Sequence, residues 1–552
     1  MGAVARHETL RTRARLLRGW RSLGWWLACV AIAAGVANLI VLLAQGHALI
    51  RGLALNADNS STFSVPALAG EAPAGAVINL GNHPWYEPWW FMRLTAGLPG
   101  YRLLWEIAPF VWYLLGVAVV AAGVWWVLGR VQALICAVVL LATSEAMRAV
   151  VYVPESHVLI VFHTGVLCAT LVFVYRRSVE RRLAWRTLLA LAVPLVLITG
   201  AGLTDQLLIP SGLAPFVLAP LLCLLRFRTR AWMVLSAFAL LTGALSALLA
   251  LLLAHVMQEE HVVHTLFPIA FVSIETVFSY TENLIGAMAS LGGGSFFALS
   301  VSGADLFTFA VGVLIFGALV AVLRALWRRA TAISLAGEAL TAQQGSREVF
   351  VAFWGSVLVL GLASFLLTTL GNNPINYRYL VGVWVALAAL LGLLCTTTVT
   401  RNLMLVAVAA FAGLTVRAEI EEGVGSLGVG PSPALVSRIA LVARDFGAST
   451  GYTGYWDAAP MTWESHLRIK AYPVQACGSR SGLCPFDGIQ ISSWYTPRPH
   501  TNTFLVTDGR PGIGGAVVAP PGGLGVPIAH EWVGGGFTVY IYNHDIAAQF
   551  GK

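Results

Sequence analysis

Four groups of residues carry side chains that could do chemistry. Asp58 stands in Leu-Asn-Ala-Asp-Asn-Ser-Ser, about a dozen residues past the first long apolar run. A carboxylate there can take a proton from a hydroxyl, or simply cap a helix, which Asp-Asn-Ser-Ser serves well. Next, His83, Trp85, Tyr86, Glu87, Trp89 and Trp90 crowd the stretch from Asn82 to Trp90. Rings at that density favour a membrane interface, and their flat faces also suit the C–H groups of sugars. The third group is Asn376-Tyr377-Arg378-Tyr379-Leu380, where Arg378 is the only basic residue of the loop 371–379. A guanidinium is the natural bidentate partner of a phosphate, although at a helix end it can also snorkel to lipid headgroups. The fourth is Gln258-Glu259-Glu260-His261-Val262-Val263-His264. His261 and His264 are one helical turn apart and could share a metal with a neighbouring Glu. That spacing is no recognised zinc signature, so contact with substrate is the expectation and no metal or other cofactor is implied.

Two isolated acids, Asp205 and Glu155, sit near the ends of apolar runs. Ionisable groups at membrane depth are costly and tend to line cavities, so both are candidate substrate contacts. His157 and His163 read as histidines satisfied by a neighbouring helix, and Glu145 with Arg148 as a local i, i+3 pair. Gly292–Gly294 follows no strand, so it fails as a phosphate cradle, and no nucleotide-binding motif occurs.

The elements that must position these residues are membrane helices. Of 552 residues, 58% are apolar or aromatic and 11% charged, with a mean hydropathy of +0.76. This excludes disorder, a nucleic-acid-binding arm and an ordinary soluble enzyme. Runs of about 20 apolar residues, the length that lets a helix cross a bilayer with its backbone satisfied, give eleven expected spans. They lie near 24–45, 107–128, 131–150, 157–175, 187–203, 213–225, 231–255, 305–323, 350–370, 380–397 and 402–416. Domain 1–416 is therefore expected to be the membrane part, with long outer loops at 46–106 and 256–304.

The formal net charge of +8 conceals an asymmetry. Alternate loops and the N-terminus collect twenty basic residues against four acidic ones; the other side has fourteen against twenty-two. By the positive-inside rule the N-terminus is cytoplasmic and 417–552 lies outside. The outer loops and helix ends keep only Arg51, Arg93, Arg102, Arg148 and Arg378. The tail 417–552 reads as a small mixed α/β domain, with a helix near Pro433–Phe446 and short strands such as Thr503–Val506 and Phe537–Tyr542. Cys477 and Cys484, seven apart in that domain, suit a disulfide in an oxidising compartment. The Ala, Gly and Arg bias suggests a bacterial plasma membrane.

An Asp just past the first span in a long outer loop, ten or so spans, a late Arg-Tyr-Leu element opening a span and an outer C-terminal domain together resemble the GT-C superfamily of membrane glycosyltransferases. The resemblance implies that Asp58 is the general base on an acceptor hydroxyl. It implies that Arg378, with Tyr377 and Tyr379, binds the phosphate of a polyprenyl-phosphate-linked sugar, and that transfer is inverting. The acceptor would be a cell-envelope glycan, lipid or protein, with Asp205, Glu155, His261, His264, His83, Trp85 and Glu87 as further substrate contacts. The loop reads Asp-Asn, without the paired acidic motif of the metal-dependent oligosaccharyltransferase branch, which favours the metal-independent users of lipid-phosphate sugars. A transporter or flippase of a lipid-linked or small polar substrate is the alternative, but the inverted repeat typical of many transporters is not seen. Membrane lipids are expected partners and nucleic acid is not.

Overall fold

The computed structural model describes residues 22–44, 57–80, 86–152, 157–180, 182–263, 269–294, 303–331, 340–422, 430–477, 482–510 and 516–550. Helix α1 is Ser22–Ala44. Then come α2 (Ala57–Ala69), β1 (Ile78–Asn79), α3 (Tyr86–Thr95), α4 (Tyr101–Val127), α5 (Arg130–Leu141), α6 (Glu145–Tyr152), α7 (Leu159–Val179) and α8 (Trp185–Gly202). A π-helical turn at Ile209–Leu213 leads into α9 (Ala214–Phe227), α10 (Arg230–Glu259), β2 (Val262–Val263), α11 (Ile274–Leu291), α12 (Gly303–Thr331) and α13 (Ala342–Leu367). Two 3₁₀ segments, Thr369–Asn372 and Pro374–Leu380, precede α14 (Val381–Leu390) and α15 (Thr398–Glu422).

Among the described residues ten helices are long and apolar enough to cross a membrane, and Arg130–Leu141 is a shorter apolar one. All eleven expected spans thus have a counterpart, making this a multi-pass helical membrane protein. Leucines of α10 such as Leu241, Leu248 and Leu251 point outward, which suits lipid and would not suit water. The expected third span differs, because it breaks at Ala142–Ser144. Ser144 Oγ accepts the Met147 N–H at 3.1 Å, capping α6. It donates to the Leu291 carbonyl at 2.8 Å, at the end of α11. The chain must still return across the bundle there. Gly116 and Val120 of α4 meet Phe162 and Gly165 of α7 in rising register, so those helices run parallel. The Tyr113 hydroxyl meets the Leu140 carbonyl, so α5 runs back antiparallel to α4.

The innermost element is α14, all ten of whose residues are buried. The span Asn376–Leu394 is 78% enclosed by protein, against 61% or less for the other spans. Its neighbour α13 starts from a capping box in which Thr341 and Gln344 satisfy each other's backbone N–H.

The C-terminal part adds α16 (Pro433–Asp445), β3 (Thr450–Thr453), α17 (Tyr455–Glu464), β4 (Lys470–Ala476), β5 (Leu483–Pro485), β6 (Gln490–Ile491), β7 (Thr503–Asp508), β8 (Ala529–Gly534) and β9 (Phe537–Tyr542). Six strands form a sheet in the order β5-β4-β3-β7-β9-β8, parallel at its centre and antiparallel at its edges. Cys477 and Cys484 are disulfide-bonded, with a Cα–Cα distance of 5.1 Å. Every residue of β7 is buried, because both sheet faces are covered. Val436 and Ile439 of α16 pack with Phe504, Val506 and Val539 on one face. On the other, Val65 and Leu68 of α2 join Tyr452, Tyr472 and Leu505. The loop after α1 therefore closes the core of the C-terminal sheet. A second small sheet, β2-β1-β6, ties that loop to the end of α10 and to the C-terminal domain.

The junction with the bundle is riveted at Trp463, which is fully buried. Its indole Nε1 donates to Glu106 Oε1 at 2.8 Å, and its ring stacks on Trp105 at 6.0 Å between centroids. The Arg102 guanidinium lies 4.1 Å from the ring centroid. Burial, an aromatic stack and a hydrogen bond to an acid thus coincide at one side chain.

Candidate functional site

The backbone before Arg378 is fixed by amide side chains. Phe271 bridges Thr368, and Val272 N–H and Thr369 N–H make reciprocal bonds to Leu367 and Ala270 carbonyls at 3.0 and 2.9 Å. Asn376 Nδ2 donates to the Leu370 carbonyl and to Asn372 Oδ1, at 2.9 and 2.8 Å. From α11, Asn283 Nδ2 reaches the Gly371 carbonyl at 2.8 Å. A side chain at position 371 would put its Cβ 2.3 Å from the Phe365 carbonyl, so only glycine allows this turn. Arg378 is then delivered, half-buried, to the head of the most enclosed helix. Its guanidinium lies 5.4 Å from the Tyr379 ring centroid.

Asp205 reaches the same place from the loop after α8. A Cβ on Gly382, two residues into α14, would lie 2.4 Å from Ser211 Oγ, so glycine admits the π-helical turn against α14. Thr164 Oγ1 of α7 donates to the Ser211 carbonyl at 3.2 Å, a helix defect of the kind frequent at functional sites. Just before that turn, Asp205 Oδ1 accepts Leu207 N–H at 2.9 Å, and Oδ2 lies 2.7 Å from His157 Nδ1. The His157 backbone is in the left-handed region (φ 67°), uncommon for a residue with a side chain. The His157 ring meets Tyr379 edge-on at 5.5 Å, while Tyr379 also packs on Ile160, Leu207 and Leu370. Asp205, His157, Tyr379 and Arg378 thus form one continuous cluster of acid, imidazole, phenol and guanidinium. Tyr377 is half-buried and packs against the main core.

Asp58 occupies the first turn of α2, where the helix dipole favours a carboxylate. Glu87 is in the first turn of α3. The side chains of Asp58 and Glu87 lie outside the described residues, as do His83, Trp85, Glu155 and His264 entirely. His261 is exposed beside β2 with φ 58° and is not drawn into the Asp205–Arg378 cluster. Among the described residues no three His, Cys, Asp or Glu side chains gather as a metal site.

Two features escaped the sequence reading. His157 looked like a histidine satisfied by a helix, and its partner is instead Asp205, itself a candidate. Arg148, read as the partner of Glu145, is fully buried on α6. That helix packs against the Pro374–Leu380 segment.

A second ionic cluster lies in the C-terminal domain. Arg510 Nη2 donates to Asp457 Oδ1 at 2.9 Å and to Asp508 Oδ2 at 2.8 Å, and its Nε reaches Asp508 Oδ1 at 2.9 Å. Both acids are wholly buried. Burial first, and then the Asp508 carboxylate, push Asp457 up to about 7, against the pull of Arg510.

No protein-family model matches the sequence, and no curated protein matches it. Solved structures similar to it include two of an archaeal oligosaccharyltransferase from Archaeoglobus fulgidus. One is AglB in complex with an inhibitory peptide and a dolichol-phosphate. It is 11% identical, with a TM-score of 0.42 over 81% of this chain and 64% of that one. The other, a complex with zinc and sulfate, is 12% identical, with a TM-score of 0.43 over 80% and 62%. The chain spans less than two thirds of the length of either. This chain is a multi-pass helical membrane protein with a mixed α/β C-terminal domain.

Proposed function

We propose that this chain is an integral-membrane glycosyltransferase that transfers a sugar from a polyprenyl-phosphate donor to a cell-envelope acceptor. The reaction takes place on the outer face of a bacterial plasma membrane. The N-terminus is then cytoplasmic and the C-terminal domain extracytoplasmic.

The observation that carries this reading is the setting of Arg378. A snorkelling arginine belongs on a span exposed to lipid, whereas Arg378 opens the span most enclosed by protein. A cation there is positioned for an anion entering the end of the bundle. Arg378 binds the donor phosphate and stabilises the charge that grows on it as the glycosidic bond breaks. Tyr377 and Tyr379 border the phosphate. Asp205 holds His157 against Tyr379 and so keeps the Arg378 wall in place. Asp58 takes the proton from the acceptor hydroxyl, with inversion at the sugar carbon. His83, Trp85, Glu87, Glu155, His261 and His264 remain proposed contacts along the lipid or acceptor path.

The test is sugar transfer by the purified chain from a polyprenyl-phosphate sugar. Asp58→Asn should lower the rate by about 10²- to 10⁴-fold with an unchanged melting temperature. Full transfer by that variant would remove Asp58 as the base. Passage of donor across a sealed proteoliposome without any glycosyl product would replace the enzyme with a transporter.

A further inference from the structure

A cleft of about 480 Å³ opens between the end of α2 and the C-terminal sheet, well away from the helix turn that carries Asp58. It is within the size range of ligand pockets, and its lining is an unusual mixture. Tyr472 and Trp494, stacked 4.7 Å apart at 8°, are nearly buried and give it an aromatic floor. Lys470 on its wall is paired with Glu71. The other cation, Arg498, is held differently. Its Nη1 donates to Thr450 Oγ1 at 3.1 Å and its guanidinium lies 5.7 Å from the Tyr472 ring centroid. Among the described residues no carboxylate pairs with that guanidinium. Asp545 accepts the backbone N–H of Arg498 and the Tyr452 hydroxyl, at 2.9 and 3.1 Å. The Arg498 fork therefore keeps donors that no protein carboxylate uses.

Hydroxyls, aromatic edges and a guanidinium that no carboxylate pairs with, in one polar cleft, suit a sugar that bears a carboxylate or a phosphate. We infer that the cleft between α2 and the C-terminal sheet is a binding subsite for an anionic saccharide, with Arg498 gripping the acidic group over the Tyr472–Trp494 floor. The cleft is lined by Leu68 and Glu71, and Asp58 starts the same helix, about 16 Å away along its axis. Ser60 to Val65, between the two, are buried, so the cleft is a subsite of its own and not the end of a groove along α2. That the saccharide belongs to the acceptor rests on the function proposed above; that the cleft binds an anionic saccharide does not.

The test is calorimetric titration of the full-length protein in neutral detergent with tetragalacturonate, with maltotetraose as the neutral counterpart and inorganic phosphate as the bare anion. Tetragalacturonate should bind saturably and at least tenfold more tightly than either of the others. Arg498→Gln should weaken it at least tenfold. Because that variant also loses the Thr450 bond, a second variant carries the opposite sign. Glu71→Gln removes the acid beside Lys470, on a half-exposed side chain, and should tighten binding severalfold. No binding of tetragalacturonate, or equal binding in wild type, Arg498→Gln and Glu71→Gln, overturns the inference. Phosphate binding as tightly as the tetrasaccharide overturns it as a saccharide site. Failure of sugar transfer with the binding pattern intact would count against the proposed enzyme alone.

Discussion

Among the arginines that lie against aromatic rings, Arg510 and Arg378 have surroundings that differ, and the difference separates holding from acting. Arg510, 4.6 Å from the Phe537 ring centroid, is clamped by Asp457 and Asp508, both wholly buried. Its donors are committed to carboxylates inside the fold. Arg378 also lies over a ring, that of Tyr379. In its cluster Tyr379 meets the His157 ring, and Asp205 is engaged with that imidazole. A fixed cation between two buried acids is a staple. On the function proposed above, Arg378 is the cation that meets the donor phosphate at the head of the most enclosed span.

Removing each arginine is the sharpest way to break the comparison. Arg510→Ala leaves two buried carboxylates without a cation and should cost the C-terminal domain about 3–5 kcal/mol, the usual penalty for breaking a buried pair. Denaturant unfolding followed by tryptophan fluorescence would measure it. Arg378→Ala should leave that transition in place and weaken donor binding by about tenfold or more, roughly 1.5–3 kcal/mol for a charge-assisted hydrogen bond. Equal losses of stability in the two variants would erase the distinction. Asp205→Asn then asks whether the second cluster works as a unit. Loss of the carboxylate that anchors His157 should slow transfer by about tenfold, equivalent to roughly 1.4 kcal/mol, with the melting temperature kept. A rate equal to wild type would detach Asp205 and His157 from the site.

What could be read beforehand divides along physical lines. The spans were legible because a long apolar run has one solution in lipid, and even the broken third one was found as apolar sequence. Its break was not visible, since it depends on Ser144 capping α6 while bonding the carbonyl of Leu291, far along the chain. Arg378 and Asp205 stood out as single charges in apolar surroundings. Their convergence did not, because it rests on Gly382 admitting Ser211 and on a π-helical turn, neither of which leaves a periodic signal. His157 was discounted for the same reason, as its partner is 48 residues away. The Arg510 staple was equally hidden, for Asp508 and Arg510 are neighbours in sequence but Asp457 comes from another strand–helix turn. The closing of the C-terminal sheet by α2 was hidden too, although it fixes the helix carrying Asp58 to the domain that lines the inferred glycan cleft.

The staple also makes a prediction about pH. Two buried carboxylates face one guanidinium, so one negative charge is uncompensated, and the fold answers by raising Asp457 to about 7. An unfolded aspartate titrates near 3.9, so between these values the native state holds a proton that the unfolded chain has lost. By linkage, stability falls as pH rises across that window and levels off above it. Acidifying from about pH 8 to about pH 6 should therefore stabilise the C-terminal domain by about 1 kcal/mol through this group. Asp457→Asn, which keeps an oxygen for Arg510 and carries no charge, should abolish that gain and raise stability at the alkaline end. The measurement is the denaturant midpoint of wild type and variant across the window. A wild-type curve that parallels the Asn variant throughout would mean that Arg510 fully balances both acids, and the staple would then be no more strained than an ordinary ion pair.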